Sequence, residues 1–396
     1  SQQSMESLGA GAVSKDEVKL SETAESSLRA SVEGVLRDLA ESTGGFAIAN
    51  TNNFKPGAER IATDIAGYYQ LSYVPPPSPF DGRFRRIEVK VNRKDVVVQA
   101  RSGYFALPPG VSQAVFPYEV PLLGALSIED PPKDFEVRAA ALRFGTSPAG
   151  LDHKIVVEVP IAALKMMTTE PVPPEKTGRY RLHLSLVALV KSEAGDVVER
   201  FSEDYPFEGP ADKADALRGG NIVFKRRLAL PPGKYRLEVA GQDRETGKLA
   251  TRRAPFEVKS AGPGPTISSL ALIRRIDQLP ADAKSDDPLD IVPARIVPNL
   301  DAPISLATNP KLWLFFIAYP ARGAAEPPRM TLEFLKDGRP LSRAEAALPA
   351  PDADGNVRYI GNFPTNAFAP GSYDVRIAVT QAGATVEDRA GFTLVP

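Results

Sequence analysis

The chain has 396 residues, 43% of them apolar and 24% charged, so it is neither disordered nor fibrous as a whole and is long enough for about two to three domains. Its 48 Lys and Arg balance 49 Asp and Glu to a net charge of −1, which gives no drive toward nucleic acid or an anionic membrane. It has no Cys and only two His, His153 and His183, which excludes disulfides and thiol chemistry and argues against multi-His metal sites and His-based triads.

Taken in order, residues 1–20 are small and polar and read as a flexible lead-in. Leu28, Val32, Val35, Leu36 and Leu39 then recur at helical spacing, and Gly44-Gly45 is the stop. Phe46 to Asn50 reads as a short strand. A second helix carries Phe54, Ala58, Ile61, Ile65 and Tyr68 on one face, with Asn53 as cap and Pro56 in its first turn. Tyr69 to Val74 reads as the next strand. Strand, helix, strand is a βαβ unit, which predicts parallel strands and a right-handed crossover. Pro75-Pro76-Pro77 ends it, and Asp81-Gly82 turns into a hairpin of Phe84–Asn92 with Val96–Arg101.

Beyond Leu107 helical periodicity fades, and Pro, at 38 residues, is nearly twice its usual ~5% share, as strand-ending loops require. Phe135–Phe144, Lys154–Ile161 and Arg179–Lys191 are the clearest strands of a series running to Val258. In the last of these Tyr180, Leu182, Leu184, Leu186 and Ala188 share one face. Such a series predicts an antiparallel β-sandwich. Lys259 to Pro265 reads as a linker, and a second strand series follows, with Asp337-Gly338 as a hairpin turn. The two series share an echo. Pro232-Gly233-Lys-Tyr235-Arg-Leu237-Glu-Val239 matches Pro370-Gly371-Ser-Tyr373-Asp-Val375-Arg-Ile377. Each Pro-Gly makes a turn into an alternating strand, and each Tyr hydroxyl needs a backbone partner, as in a tyrosine corner. The longest wholly apolar run, Leu312 to Tyr319, is far short of the ~20 residues of a spanning helix, so no transmembrane segment is expected. A start at Ser1, without Met, reads as a processed or truncated piece of a longer chain.

The first quarter resembles a known family. Val32-Glu-Gly-Val-Leu-Arg-Asp-Leu-Ala-Glu-Ser-Thr-Gly-Gly45 leads to Asn50-Thr51-Asn52, Ile61-Ala-Thr-Asp64-Ile65 and Tyr68-Tyr69-Gln-Leu71-Ser-Tyr73. Asp81-Gly82-Arg-Phe-Arg-Arg-Ile87-Glu-Val-Lys-Val91 and Ala100-Arg-Ser-Gly-Tyr-Phe105 follow. This succession, over residues 30–106, resembles the C-terminal end of the A-type domain in the bacterial VWFA-related (von Willebrand factor A-like) proteins first catalogued in acidobacteria. The resemblance implies an extracytoplasmic, non-enzymatic protein; such domains often bind partners through Mg²⁺ at a site opened by Asp-x-Ser-x-Ser. No Asp-x-Ser-x-Ser occurs here, so no metal ligand is carried over and no cofactor is expected.

Other candidate chemistry is sparse. The hairpin over residues 82–101 carries Arg83, Arg85, Arg86, Lys90, Arg93, Lys94 and Arg101, but no aromatic ladder, and reads as a solvated strand face. Asp352-Ala-Asp354-Gly355-Asn356 lacks the spacing and the Glu of a calcium loop and reads as a turn. Asp286, Asp287 and Asp290 read as a solvated loop, with a loose Ca²⁺ site as the alternative. His183 lies on a strand face and His153 in a loop, with no Gly-x-Ser-x-Gly to pair with. Trp313, Phe315, Phe316 and Tyr319 predict a doubly buried central strand; exposed, they would suit sugar stacking. Arg226-Arg227 and Arg252-Arg253 read as strand edges or surface.

The resulting expectation is a multidomain, mostly β chain. Residues 21–107 form a C-terminal α/β remnant of an A-type domain with a hairpin extension, 108–259 and 266–396 form two Ig-like antiparallel β-sandwiches, and 260–265 link them. The expected function is a secreted or envelope interaction scaffold that binds a protein partner and no nucleic acid, with no catalytic, cofactor or metal residues. The alternatives are a metal-dependent adhesin whose ion site lies upstream of residue 1 and a carbohydrate-binding accessory module.

Overall fold

The computed structural model describes residues 40, 45–48, 53–67, 71–73, 80–94, 96, 98–101, 103–107, 115–147, 150–171, 177–260, 262, 264–283, 285, 287–321, 323, 324 and 326–396. The lead-in over 1–20, the helix over 28–39, residues 49–52 and 74–79, and Asp286 lie outside them.

The second helix, α1 (Lys55–Ala66), forms with Pro56 at its start, and none of its residues is buried. The flanking strands expected at 46–50 and 69–74 do not form over their described parts, which lie outside any strand. The βαβ reading is thus corrected there: without a covering sheet beside it, a parallel pair has nothing to bury its faces. The basic hairpin is also shifted. β1 (Phe84–Arg86) pairs antiparallel with β2 (Gly103–Phe105), not with 96–101. The next helix, α2, runs Glu119–Ser127.

Eight strands follow between residues 138 and 258 among the described residues: β3 (Arg138–Ser147), β4 (Gly150–Pro160), β5 (Met167–Thr168), β6 (Arg179–Ser192), β7 (Val197–Pro210), β8 (Asn221–Leu228), β9 (Gly233–Asp243) and β10 (Leu249–Val258). A short helix, α3 (Ala214–Arg218), precedes β8. One sheet is β3-β4-β8; the other is β10-β9-β6-β5, with β7 also on β6. Ile155, Val157, Ile222 and Phe224 of the first meet Leu182, Leu184, Leu237 and Val239 of the second in one core. This is the first sandwich.

The second sandwich comprises β11 (Thr266–Ile267), β12 (Ala271–Gln278), β13 (Asp290–Ile291), β14 (Ala294–Pro298), β15 (Ile304–Ser305), β16 (Lys311–Tyr319), β17 (Arg329–Lys336), β18 (Arg339–Ala347), β19 (Val357–Pro364), β20 (Gly371–Gln381) and β21 (Ala384–Val395). One sheet is β11-β16-β12-β14-β13 with β19 on β16, the other β15-β21-β20-β17-β18. Leu314 and Phe316 face Phe334, Val375 and Ile377 across the core. One pairing departs from the antiparallel expectation: β15 runs parallel to β21.

The chain is therefore mostly β, in line with its proline-rich composition. The sheets stack in layers, and the stacking explains the sequence patterns. On β6, alternate residues enter the first core, while Val187 and Leu189 lie under Leu122, Leu123 and Leu126 of α2. Both faces are covered, so the strand reads as a continuous apolar run. Leu107 and Phe105 join that outer cluster, and Phe80 O accepts Val197 N–H at 2.9 Å, so the β1–β2 hairpin docks on the same face through residues at both of its ends. At the far end of the stack the outer face of β17-β20-β21 is wet. There Asp374 pairs with Arg389, and Arg376 with Glu333 and Glu387, and apolar and polar residues alternate along β20.

The echo between the sandwiches is structural. Tyr235 Oη donates to Pro231 O and Tyr373 Oη to Ala369 O, each at 2.8 Å and each four residues back. Each ring stacks on the Phe opposite it, Phe256 or Phe392, at 5.6 and 5.5 Å.

Candidate functional site

The β6–β7 register sets Ser185 opposite Asp204 and leaves His183 on the same face, two residues away. His183 Nε2 lies 2.8 Å from Asp204 Oδ1, and Ser185 Oγ donates to the same oxygen at 2.5 Å. Burial raises the Asp204 pKa, but the hydrogen bonds from His183 and Ser185 outweigh it and hold the carboxyl below its ordinary value. In a hydrolytic triad the imidazole stands between hydroxyl and carboxylate. Here the carboxylate stands between the other two, so the Ser185 proton points away from the imidazole. Ser185 is also fully buried. The cluster holds an anion on the sheet rather than arming a nucleophile. His153 is corrected from a loop to β4, where it is buried with its ring 5.8 Å from Phe256.

The acidic clusters are self-contained. Asp352 Oδ1 accepts the N–H groups of Asp354 and Asn356 at 2.9 Å, and its other oxygen pairs with Arg358, the pattern of an Asx turn. Asp287 and Asp290 are not a solvated loop. Asp287 is 4% exposed, and its Oδ2 takes Lys154 Nζ and Lys225 Nζ, both at 2.9 Å. Asp290 is held by Arg295 Nε at 2.7 Å. The expectation failed because a lysine pair from the other sandwich cannot be read from local spacing. Among the described residues no group of three or more His, Cys, Asp or Glu is placed to hold a metal ion.

The aromatic strand behaves as expected. β16 has β12 and β11 on one side and β19 on the other. Leu314 and Phe316 enter the second core, while Phe315, Ile317 and Tyr319 face the first sandwich, with Trp313 packed against them. Trp313 and Tyr319 therefore belong to a packed layer rather than to an open sugar-stacking platform.

That layer is the joint between the sandwiches. Its centre is apolar: Phe144 of β3 packs with Ile273, Leu289, Ile296 and Phe315, its ring 6.0 Å from that of Phe315. Charges surround it, and they cross in both directions. The first sandwich sends Lys154 and Lys225 to Asp287, and the second sends Arg274 to Glu158. Glu158, 1% exposed, also takes Arg138 Nη1 at 2.6 Å, so two guanidiniums neutralise it. Burial alone raises the Asp287 pKa, but Lys225 and Lys154 together bring it down to about 2. Arg143, 6% exposed, donates from Nε to Ile267 O at 2.9 Å and reaches Asp388 Oδ1 at 3.2 Å. Gly145 N–H donates to Tyr319 Oη at 2.6 Å. On the rim, Arg252 pairs with Asp301.

Sequence reasoning missed these groups, although β4 carries a signal. Ile155, Val157 and Val159 point into the core, so Lys154, Val156 and Glu158 share the outer face. Opposite charges interleaved with Val on a face of this kind suit a second protein surface as well as water.

The basic stretch is a surface feature. Asp81 sits between Arg85, at 2.9 Å, and Arg83, at 3.8 Å, and Lys90 pairs with Glu88 at 3.1 Å with both side chains largely exposed. Arg226, Arg227 and Arg253 are exposed and Arg252 is half-buried.

No protein-family profile matches the chain, and no curated protein matches it. Among solved structures it is similar to a calcium-binding mutant of Bacteroides uniformis beta-glucuronidase 2, at 11% identity and a TM-score of 0.18, over 33% of this chain and 13% of that one. It is similar to the fibronectin(III)-like modules of Clostridium thermocellum CbhA, at 12% identity and TM-score 0.17, over 65% of this chain and 93% of that one. A structure described as BspA_C_WT matches at 10% identity and TM-score 0.19, over 65% and 99%. Likeness this low carries no argument, and the fold stands on its own sheets and cores.

Proposed function

We propose that the chain is a non-enzymatic scaffold in which two sandwiches, held as one body, position a surface for a protein partner. The observation that supports this reading is the reciprocal charge crossing at the joint. Lys154 and Lys225 reach Asp287 while Arg274 reaches Glu158, around a buried aromatic centre. A flexible tether between independent modules needs no buried, mutually neutralised ions. A spacer that keeps one orientation is served by them, because each crossing pair is satisfied in a single arrangement. The Ser185–Asp204–His183 order points the same way, since it spends the Ser185 hydroxyl on the carboxylate. Placement in the envelope or outside the cell comes from the resemblance of residues 30–106.

The test is cross-linking of the full chain in fractionated cells, beside a panel of esterase and glycosidase substrates. One reproducibly cross-linked protein is expected, its yield reduced when Glu158→Gln and Asp287→Asn together loosen the joint. Turnover of any substrate that His183→Ala abolishes would make the chain an enzyme and overturn the reading. Cross-linking that ignores the joint variants would remove the scaffold argument.

A further inference from the structure

The last strand of the outermost sheet, β18, pairs only with β17, and among the described residues no strand lies on its far side. Eight of its nine residues are exposed. An open strand edge is a template for another strand, and proteins commonly blunt such edges with Pro, bulges or charges of one sign. On β18 the blunting is confined to the first part. Pro340 stands there, and the register slips near the Phe334–Leu335 positions of β17. The stretch from Ser342 to Ala347 continues in regular register, with Arg343 and Glu345 as its only charges.

Those two charges are opposite in sign and two residues apart, on one face of the strand. A two-fold axis through Ala344 would set two copies of the strand antiparallel, so that residue 343 of each faces residue 345 of the other. Both cross-strand pairs are then Arg opposite Glu, and Ser342 faces Ala346. Lys or Arg at both positions would repel a copy; this order attracts one. The inner-face residues Ser342, Ala344 and Ala346 are small and offer no steric bar. Moving the axis one residue, to Arg343, would put like charges face to face. The register is therefore specified as well as permitted.

We propose that β18 is a self-association edge, and that its partner is β18 of a second copy of this chain in an isologous antiparallel pair centred on Ala344. The two outer sheets then continue into one sheet across the two-fold. A single strand pair buries less than the about 1,000 Å² of a stable complex, so the dimer is weak and is read at high protein concentration.

The chain has no Cys, which makes the test clean. Residues facing each other across the axis have Cα atoms about 4.5–5.5 Å apart, within disulfide reach. Full-length Ala344→Cys should form a covalent dimer on mild oxidation. Ser342→Cys alone should not, but mixed with Ala346→Cys it should. By sedimentation, Arg343→Glu should weaken the dimer about tenfold or more, because it opposes four carboxylates across two pairs. Glu345→Arg should do the same, and the double exchange Arg343→Glu with Glu345→Arg should restore association. Restoration by the exchange separates pairing from damage to the fold, which circular dichroism and melting also follow. A single monomeric species at the highest soluble concentration with no Ala344→Cys cross-link overturns the proposal. So does a dimer indifferent to both charge reversals, which would place the contact elsewhere.

Discussion

Arg274 of β12 grips both carboxylate oxygens of Glu158 of β4, Nη2 to Oε2 at 2.6 Å and Nη1 to Oε1, across the joint between the two sandwiches. Glu158 is buried, and Arg138 of its own sandwich completes the neutralisation. Removing the carboxylate charge takes this partner from Arg274 in a largely buried layer, while Arg138 keeps Glu136 at 2.6 Å. Glu158→Gln is expected to cost about 3–5 kcal/mol, the range for breaking a buried pair from one side. Arg274→Met should cost less, because Glu158 keeps Arg138 and the methionine fills apolar space. Urea denaturation of the two variants checks the order; equal costs would mean that the joint pair does not carry the difference.

Much of the core was legible in the residues, and much of the joint was not. The alternation of Tyr180, Leu182, Leu184 and Leu186 marks an inward strand face by itself, because period two is a local property. The Pro-Gly-x-Tyr echo is local too, and both hydroxyls find their carbonyls four residues back. Asp287 fails the same kind of reading. In sequence it is one acid among several beside a proline, and its two lysines come from β4 and β8 of the other sandwich. A contact of such long range leaves no periodicity behind. The segment around 46–50 and 69–74 shows the opposite failure, since strand-like residues there find no sheet over their described parts. Propensity yields to pairing when no neighbour is present.

Asp287 makes the joint sensitive to acid. Its folded pKa is depressed from 3.8 to about 2, so the stabilisation is fully present above about pH 5 and is lost as pH falls toward 2. The shift corresponds to about 2 kcal/mol at neutral pH. Asp287→Asn should be less stable than the parent at pH 7 and equal to it near pH 2. Denaturation midpoints of both proteins across that window test the sign. A gap that persists unchanged at pH 2 would show that the lysines are not what the carboxylate serves.

The two tyrosine corners allow a paired experiment. Tyr235→Phe and Tyr373→Phe each remove a single hydroxyl from the same motif. Tyr373 is 4% exposed, whereas Tyr235 is half-buried and its lost bond is open to replacement by water. Tyr373→Phe should therefore cost about 1 kcal/mol or more, and Tyr235→Phe less. Thermal melting reads the difference, and the reverse order would mean that exposure is not what sets the cost.

The single tryptophan reports on the joint directly. Trp313 packs against the cluster that Phe144 enters from the first sandwich, whereas Phe144 takes no part in the core of the second. Phe144→Ala removes the ring stacked on Phe315 and opens a cavity between sandwiches rather than within one. The coupling between them should fall by about 3–5 kcal/mol, the usual cost of deleting a buried Phe. In calorimetry the parent should unfold in one cooperative step, because neither sandwich can melt without exposing the joint face of the other. The variant should unfold in two. Its Trp313 emission should shift to longer wavelength while the β-sheet circular dichroism stays unchanged, since water enters the joint and both cores remain packed. A variant that keeps a single transition and an unshifted emission would show that the buried ion pairs hold the joint closed without the aromatic centre.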